Sequence, residues 1–245
     1  MISTKNEMKK GAKRSTIMNI VECRDIKKTY QQGRITVSAL NGVTLTIEKG
    51  GFVALAGPSG SGKTTLLNII GGLDSADSGE VRMGGNLLKE MNQSDLASLR
   101  LNQVGFIFQA YNLIPVLSAL ENVEFVMLLQ GVSKRERQAR ARAILDDVGL
   151  EGMQDRRPAE LSGGQQQRVA VARAIVSDPS IVLADEPTAN LDSGTGQALL
   201  EMMREMNHKK NVTFIFSTHD KMVMDYAKRL IQIRDGRVDN DHRSF

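Results

Sequence analysis

Phe52-Val53-Ala54-Leu55-Ala56, then Gly57-Pro58-Ser59-Gly60-Ser61-Gly62-Lys63-Thr64, then Thr65-Leu66-Leu67-Asn68-Ile69-Ile70: this stretch decides the fold. Its first five residues form an unbroken apolar run of strand length, as expected of a strand covered on both faces. The glycine-rich segment breaks that run. Leu66, Leu67, Ile69 and Ile70 then recur at helical spacing until Gly71-Gly72 ends the helix. Strand, glycine loop and helix in that order make the first half of a βαβ unit and predict a parallel sheet.

Upstream, Val43, Leu45 and Ile47 alternate with Thr44, Thr46 and Glu48, a half-buried strand closed by Gly50-Gly51. Downstream, the α/β rhythm returns near residue 175. Ile181-Val182-Leu183-Ala184 reads as a buried strand, 193–207 as a helix rich in Leu and Met, and Thr213-Phe214-Ile215-Phe216 as another strand. Leu230, Ile231 and Ile233 make a third, closed by the hairpin signal Asp235-Gly236. The middle is helical in character. Ser118 with Glu121 and Ser133 with Glu136 fit the capping box, and Gly131 and Gly149 fall where those helices should stop. The chain therefore predicts an α/β core over 18–110 and 175–238, interrupted by a helical insertion at about 111–174.

The length of 245 residues suits one large domain, and 24% charged with 41% apolar residues is ordinary for a globular protein. No apolar run approaches the roughly 20 residues needed to span a bilayer. The opening residues carry charge without a following apolar core, so they do not read as a secretory signal. Cys23 is the single cysteine, which excludes a disulfide framework. The net charge of +4 invites a nucleic-acid reading, but five of the 32 basic residues and one of the 28 acidic ones precede Met18. The body is electrically balanced, so no nucleic acid is expected as a partner, and residues 1–17 read as a basic, solvated, disordered leader.

Gly57 to Thr64 matches the phosphate-loop pattern G-x-x-x-x-G-K-[ST]. Glycines let successive backbone N–H groups curl around a β-phosphate, and the following helix offers its positive end to the anion. Lys63 reaches the β- and γ-oxygens, and the Thr64 hydroxyl binds Mg²⁺. Gly57, Pro58, Ser59, Gly60, Ser61, Gly62, Lys63, Thr64 and the adjoining Thr65 are the expected phosphate ligands. A second feature is Asp185-Glu186 at the end of a buried strand, where ligands of α/β sheets collect. Asp185 is placed to hold Mg²⁺, and Glu186 to polarise an attacking water as general base. A third is Leu161-Ser162-Gly163-Gly164-Gln165, which opens a helix running to about Ile175 and makes a second anion-binding N-terminus. Two anion sites in one chain fit either two sites on one phosphate or one site in each of two molecules.

With LSGGQ beside a phosphate loop and an Asp-Glu strand, the chain resembles the ATPase subunit of ATP-binding cassette (ABC) transporters over nearly all of residues 19–238. The resemblance implies an α/β fold: a P-loop NTPase core with a mostly parallel sheet, an N-terminal antiparallel β subdomain and an inserted helical subdomain, forming one ATPase domain over 18–245. It implies an ATP- and Mg²⁺-dependent ATPase whose subunits form a head-to-tail homodimer in the ATP-bound state. Ser162, Gly163, Gly164 and Gln165 of one subunit then close on the ATP of the other. Tyr30 matches the aromatic that stacks on adenine. Gln109, after Val104-Gly105-Phe106-Ile107-Phe108, matches the glutamine that contacts Mg²⁺ and the attacking water. Ala189-Asn190-Leu191-Asp192 matches a loop crossing the dimer interface, and His219 the histidine contacting the γ-phosphate. Glu186, His219, Gln109 and Lys63 are thus the expected catalytic set, and Thr64, Gln109 and Asp185 the expected metal ligands.

Finer features, Thr29-Tyr30-Gln31-Gln32-Gly33, Gly71-Gly72-Leu73-Asp74, LSGGQQQRVAVARA and LADEPTANLD, resemble the branch serving lipoprotein release and macrolide efflux. That branch implies a separate permease of four transmembrane helices and a peripheral place on the cytoplasmic face of the inner membrane. Ala189 departs from the glycine usual there. A rival class, soluble ABC ATPases acting on DNA or ribosomes, carries long coiled coils or paired cassettes, and neither is present between Lys63 and Asp185 or elsewhere. A nucleotide kinase would share the phosphate loop without LSGGQ.

Overall fold

The computed structural model describes residues 18–33 and 35–243. The expected basic leader, residues 1–17, lies outside the described residues. In chain order the elements are β1 (Asn19–Gln32), β2 (Ile35–Glu48), β3 (Phe52–Ala56), α1 (Lys63–Ile70), β4 (Ser78–Met83), β5 (Asn86–Leu87), α2 (Gln93–Gln103), β6 (Val104–Ile107), α3 (Ala119–Leu129), α4 (Lys134–Asp147), α5 (Gly163–Ile175), β7 (Ile181–Asp185), α6 (Ser193–Lys210), β8 (Thr213–Thr218), α7 (Lys221–Tyr226), β9 (Arg229–Arg234) and β10 (Arg237–Arg243). One sheet is antiparallel, in the order β2-β1-β4-β5. The other runs β10-β9-β3-β8-β7-β6, with β9, β3, β8, β7 and β6 parallel and β10 antiparallel at the edge.

The unbroken apolar strands are buried on both sides because each serves two cores. Phe52 and Ala54 of β3, Phe214 and Phe216 of β8, and Val182 and Ala184 of β7 face a core built with α3 to α6. Their alternates Val53, Leu55, Ile215, Ile181 and Leu183 face a second core built with α1 and the antiparallel sheet. This is the two-residue period of a strand read on both faces. The first core centres on aromatics: the rings of Phe52 and Phe216 lie 4.7 Å apart and tilted by 58°, an edge-on arrangement that ring quadrupoles favour. On β2 the alternation is one-sided, with Val43, Leu45 and Ile47 buried and Thr44 and Thr46 exposed.

Helix ends follow the local chemistry. Ser118 caps α3 in a complete box with Glu121. At α4 the box is half made: Ser133 accepts from the Glu136 amide, and no reciprocal bond is formed among the described residues. α6 runs past the expected 207 to Lys210, where Asn211 turns left-handed and ends it. Cys23 lies in the second core, 1% exposed, and burial pushes its thiol up to about 12.

β6 meets α5 at very close range. A methyl group on Gly105 would sit 2.2 Å from the Ala174 carbonyl oxygen, so the backbone of α5 must retreat if one is added. Gly105→Ala should therefore destabilise the protein by roughly 1–3 kcal/mol, the usual cost of overfilling a close-packed interior. Urea unfolding followed by circular dichroism measures it, and thiol labelling of Cys23, hindered until the core opens, gives an independent readout. Unchanged stability would contradict the contact between β6 and α5.

Candidate active site

The phosphate loop occupies Gly57–Gly62, between the end of β3 and the start of α1. Two neighbours fix its path. A methyl on Gly57 would lie 2.1 Å from the Ile233 carbonyl of β9, and one on Gly62 would lie 2.4 Å from the Ala39 carbonyl of β2. Gly62 also has φ 103°, a backbone region closed to most L residues. The hairpin between β9 and β10 closes over the loop, with the Gly236 amide donating to the Ser61 carbonyl at 3.1 Å. No side chain caps the N-terminus of α1, so its first amides are left for an anion. Lys63 is 6% exposed, and its ammonium donates to the Gly57 and Pro58 carbonyls at 2.7 and 2.9 Å. Burial lowers its pKa from the ordinary lysine value, and the charges of Glu186 and Asp185 oppose that shift.

β7 and β8 end beside this loop. The Thr64 hydroxyl donates to Asp185 Oδ1 at 2.9 Å, joining the first turn of α1 to the end of β7. Glu186 follows in a left-handed conformation with φ 45°, and its amide donates to the Ser217 carbonyl of β8 at 2.9 Å. Such a residue outside glycine is strained, and strain of this kind collects at functional sites. Both carboxylate oxygens of Glu186 are engaged: Oε1 faces His219 Nδ1 at 2.6 Å, and Oε2 accepts from the Thr218 hydroxyl at 3.2 Å. A carboxylate only accepts, so the imidazole carries its proton on Nδ1 and keeps Nε2 as the free atom. His219 is largely exposed while Glu186 is mostly covered.

The other expected residues arrive on separate elements. Ser162 caps α5: its hydroxyl accepts from the Gln165 amide at 3.3 Å and its amide donates to Gln165 Oε1 at 2.9 Å. Gly164 is pressed against α6, where an added methyl would lie 2.5 Å from Thr195 Cγ2, and Gly163 lies beside the Tyr111 hydroxyl and the Asn190 carbonyl. Asp192 caps α6 by accepting from the Thr195 amide at 3.0 Å and hydroxyl at 2.6 Å, and these bonds hold its carboxyl below the usual range. Gln109 is exposed just beyond β6; its carbonyl accepts from Asn190 Nδ2 at 2.9 Å. Among the described residues no hydrogen bond joins the Gln109 side chain to Thr64 or Asp185. Tyr30, 38% exposed on β1, donates its hydroxyl to Asp74 Oδ2 at 2.6 Å, and Lys28 Nζ sits 5.1 Å from the ring centroid. Burial pushes the Asp74 carboxyl up, but the bonds from Tyr30 and Lys28 outweigh it and hold the group below the usual carboxylate range.

The structure thus brings Lys63, Thr64, Asp185, Glu186 and His219 to one edge of the sheet, and leaves Tyr30, Gln109 and Ser162 on its flanks. It adds residues that the sequence reading passed over. Thr218 orients Glu186, Asp74 anchors Tyr30, and Arg173 of α5 donates to the Tyr111 and Asn112 carbonyls at 2.8 and 2.5 Å. Asp74 carried a signal, being part of the quoted Gly71-Gly72-Leu73-Asp74. The Glu186–His219 contact carried none, since the two residues are 33 positions apart.

Comparison with known proteins gives the family. A sequence model described as "ABC transporter" matches residues 40–189. A relative named as an ABC transporter ATP-binding protein in Thermotoga maritima is 45% identical over 224 residues, covering 91% of this chain and 95% of its own length. The macrolide export ATP-binding/permease protein MacB of Mannheimia succiniciproducens is 46% identical over 224 residues, again 91% of this chain; the chain spans only 35% of its length. Among solved structures, the dimeric, post-hydrolysis form of the ATP-binding cassette MJ0796 bound to ADP and Pi superposes with TM-score 0.85 at 41% identity, over 92% of this chain and all of that one. CbiO1 of Clostridium perfringens, part of an ABC transporter complex, gives TM-score 0.83 at 27% identity, over 92% and 88% of the two chains. With the family match over most of the chain and a relative matched nearly end to end, the chain belongs to the ABC transporter family and is one of its ATPase domains.

Proposed function

We propose that this ATPase domain drives a separate membrane permease of the lipoprotein-release or efflux type, and that it closes as a homodimer on ATP. The observation that carries the catalytic reading is the joining of the Thr64–Asp185 and Glu186–His219 pairs beside Lys63 at one sheet edge. The branch reading rests on similarity to MacB proteins, whose names pair an ATP-binding part with a permease part while this chain spans about a third of their length. The remaining two thirds are what a separate permease, with four transmembrane helices, would supply. No described helix of this chain is long and apolar enough to cross a membrane. A groove of about 400 Å³ beside the Gln109 loop, lined by Leu73, Phe106, Phe108 and Val126 with Arg100 and Arg173, is the surface assigned to the permease. That docking would place the chain at the cytoplasmic membrane face.

Each residue then has a task. Tyr30 stacks on adenine. Gly57 to Thr65 wrap the phosphates, each residue except Pro58 having a backbone amide to offer, and Lys63 brings a full positive charge to the β- and γ-oxygens. Thr64, Asp185 and Gln109 offer a hydroxyl, a carboxylate and an amide oxygen, the hard donors that suit Mg²⁺ held jointly with substrate phosphates. Among the described residues no cluster of three or more metal-binding side chains competes for it. When bound, Mg²⁺ would neutralise charge on the phosphate oxygens. Glu186 accepts the proton of the attacking water, and His219, held by Glu186 through Nδ1, turns Nε2 to the γ-phosphate. Ser162, Gly163 and Gly164, with Gln165 closing the cap, complete the site of the second copy.

Lys63→Ala should remove most ATP affinity, because no other residue of the loop carries a full positive charge. Tyr30→Ala should weaken ATP by about 1–3 kcal/mol, the usual worth of one base–aromatic stack. Titration with a fluorescent nucleotide reads both, and wild-type affinity in Lys63→Ala would overturn the loop assignment.

Glu186→Gln keeps shape but cannot take a proton, so hydrolysis should fall by about 10²–10⁴ while ATP binding survives. With ATP and Mg²⁺ it should accumulate as a homodimer. Adding Ser162→Arg should abolish that dimer without weakening ATP binding to the monomer. Size-exclusion chromatography with light scattering decides the matter; a double variant that still dimerises would sink the proposed arrangement.

A further inference from the structure

Arg173 of α5 has an unusual set of partners. It is half-buried. Its two terminal nitrogens donate to the carbonyls of Tyr111 and Asn112. Both acceptors are neutral, and among the described residues no carboxylate pairs with the guanidinium. Burial lowers its pKa from the ordinary arginine value, with no charged neighbour offsetting the shift. A partly desolvated cation without a counter-ion is expensive, so what it holds matters.

It holds a strained turn. Tyr111 and Asn112 have φ 61° and 50°, two successive non-glycine residues in the left-handed region. The turn is tight: the Tyr111 amide donates to the Phe108 carbonyl at 3.1 Å, spanning Gln109 and Ala110, and the Asn112 amide donates to the Ala110 carbonyl at 2.6 Å. Asn122, fully buried, fixes the next stretch by exchanging bonds with the Ile114 amide and carbonyl at 2.8 and 3.1 Å. The same helix α5 also carries Gln167, fully buried, whose Nε2 donates to the carbonyl of Pro187, the residue after Glu186, at 2.7 Å. α5 therefore reaches the loops that follow both Gln109 and Glu186, while its N-terminus is Ser162.

We propose that Arg173 is a positioning residue for ATP hydrolysis: it clamps the Tyr111–Asn112 turn and so aims Gln109 at the nucleotide. The helix that offers Ser162 to one nucleotide then also sets the Gln109 loop of its own. The proposal rests on the assignment of Gln109 to the active site. Arginine suits the task because its planar fork sets two N–H groups in fixed directions toward two carbonyls, whereas a lysine ammonium can donate to two carbonyls, as Lys63 does, but rotates freely and fixes the direction of neither.

Arg173→Ala empties a half-buried site and can fail to fold, so Arg173→Lys, which keeps charge and most of the length, carries the comparison. Four full-length proteins are needed: wild type, Arg173→Lys, Gln109→Ala and the double variant. Arg173→Lys should lower kcat by about 10- to 100-fold, the scale of a small misplacement in an active site. KM for ATP should stay within about twofold, since the phosphate loop is untouched. Hydrogen–deuterium exchange at residues 108–113 should quicken, with the amides of β3 and α1 unchanged. Adding Arg173→Lys to Gln109→Ala should bring no more than about a twofold further loss, because both act through one group.

Losses that multiply in the double variant, with Gln109→Ala itself impaired, would overturn the clamp while leaving Gln109 in the site. Unchanged exchange at 108–113 would do the same. Full activity in Gln109→Ala would remove the premise and the proposal together.

Discussion

Everything at the site depends on β3, β7 and β8 being buried on both faces. A parallel strand with cores on both sides has no side chain to spare for a ligand, so chemistry is pushed to where the strand stops. Three neighbouring strands stop at one edge, delivering Gly57 after Ala56, Glu186 after Asp185 and His219 after Thr218. The register is closed by one backbone bond, from the Glu186 amide to the Ser217 carbonyl, which carries the pairing of β7 and β8 one residue past Asp185. That bond holds Glu186 at its positive φ, and the strained conformation turns the carboxylate to Thr218 and His219. Without the edge, these residues would be spread over more than 160 positions of chain.

The antiparallel sheet adds a second wall. β2 passes close enough to the phosphate loop that only glycine fits at position 62. β1 brings Tyr30 to the same side, held by Asp74, which lies just beyond α1. Lys28, which donates to Asp74 and to the Ser75 carbonyl, also sits near the Tyr30 ring. Asp74 is thus shared by a cation and a phenol. A phenylalanine at position 30 would offer the same ring face for the proposed adenine stack but would lose the bond that fixes its direction. The hydroxyl, not the ring alone, explains why a tyrosine suits this position.

Much of this was legible in the sequence because the signals were local. The apolar run 52–56, the glycine loop and the helical spacing of Leu66 to Ile70 sit within twenty residues and agree with one another. The Ser118–Glu121 box and the stop at Gly131 are likewise short-range. What escaped the reading was encoded at a distance or in polar chains. β4, β5 and α2 were passed over because Gly84-Gly85 and polar residues divide the apolar positions of 78–103 among short elements, leaving too few in each to betray a period. β1 was missed as a fourteen-residue strand because bulges at Cys23/Ile26 and Lys28/Thr29 break its alternation. The Ser133–Glu136 pair had the right letters, yet only half its box forms. Letters at a spacing fix which bonds are available, and packing fixes which are made.

α5 shows how such distant bonds become a mechanical element. Its first turn is wedged by α6 at Gly164 and by the Gln109 loop at Gly163, yet Ser162 itself is exposed. A helix end so tightly held cannot adjust alone. Along its length, side chains grip the carbonyls of Pro187, Val148, Tyr111 and Asn112, tying the helix to each of those loops. An exposed helix terminus with oriented amides suits an anion brought from outside, and two solved cassettes similar to this chain are dimeric. If the proposed partner contact forms at Ser162, the bonds from α5 to Pro187, Tyr111 and Asn112 give it a direct connection to the loops after Glu186 and Gln109. In the proposed closure, the residue that meets the partner's nucleotide and the side chains that hold the loops after Gln109 and Glu186 would therefore belong to one helix.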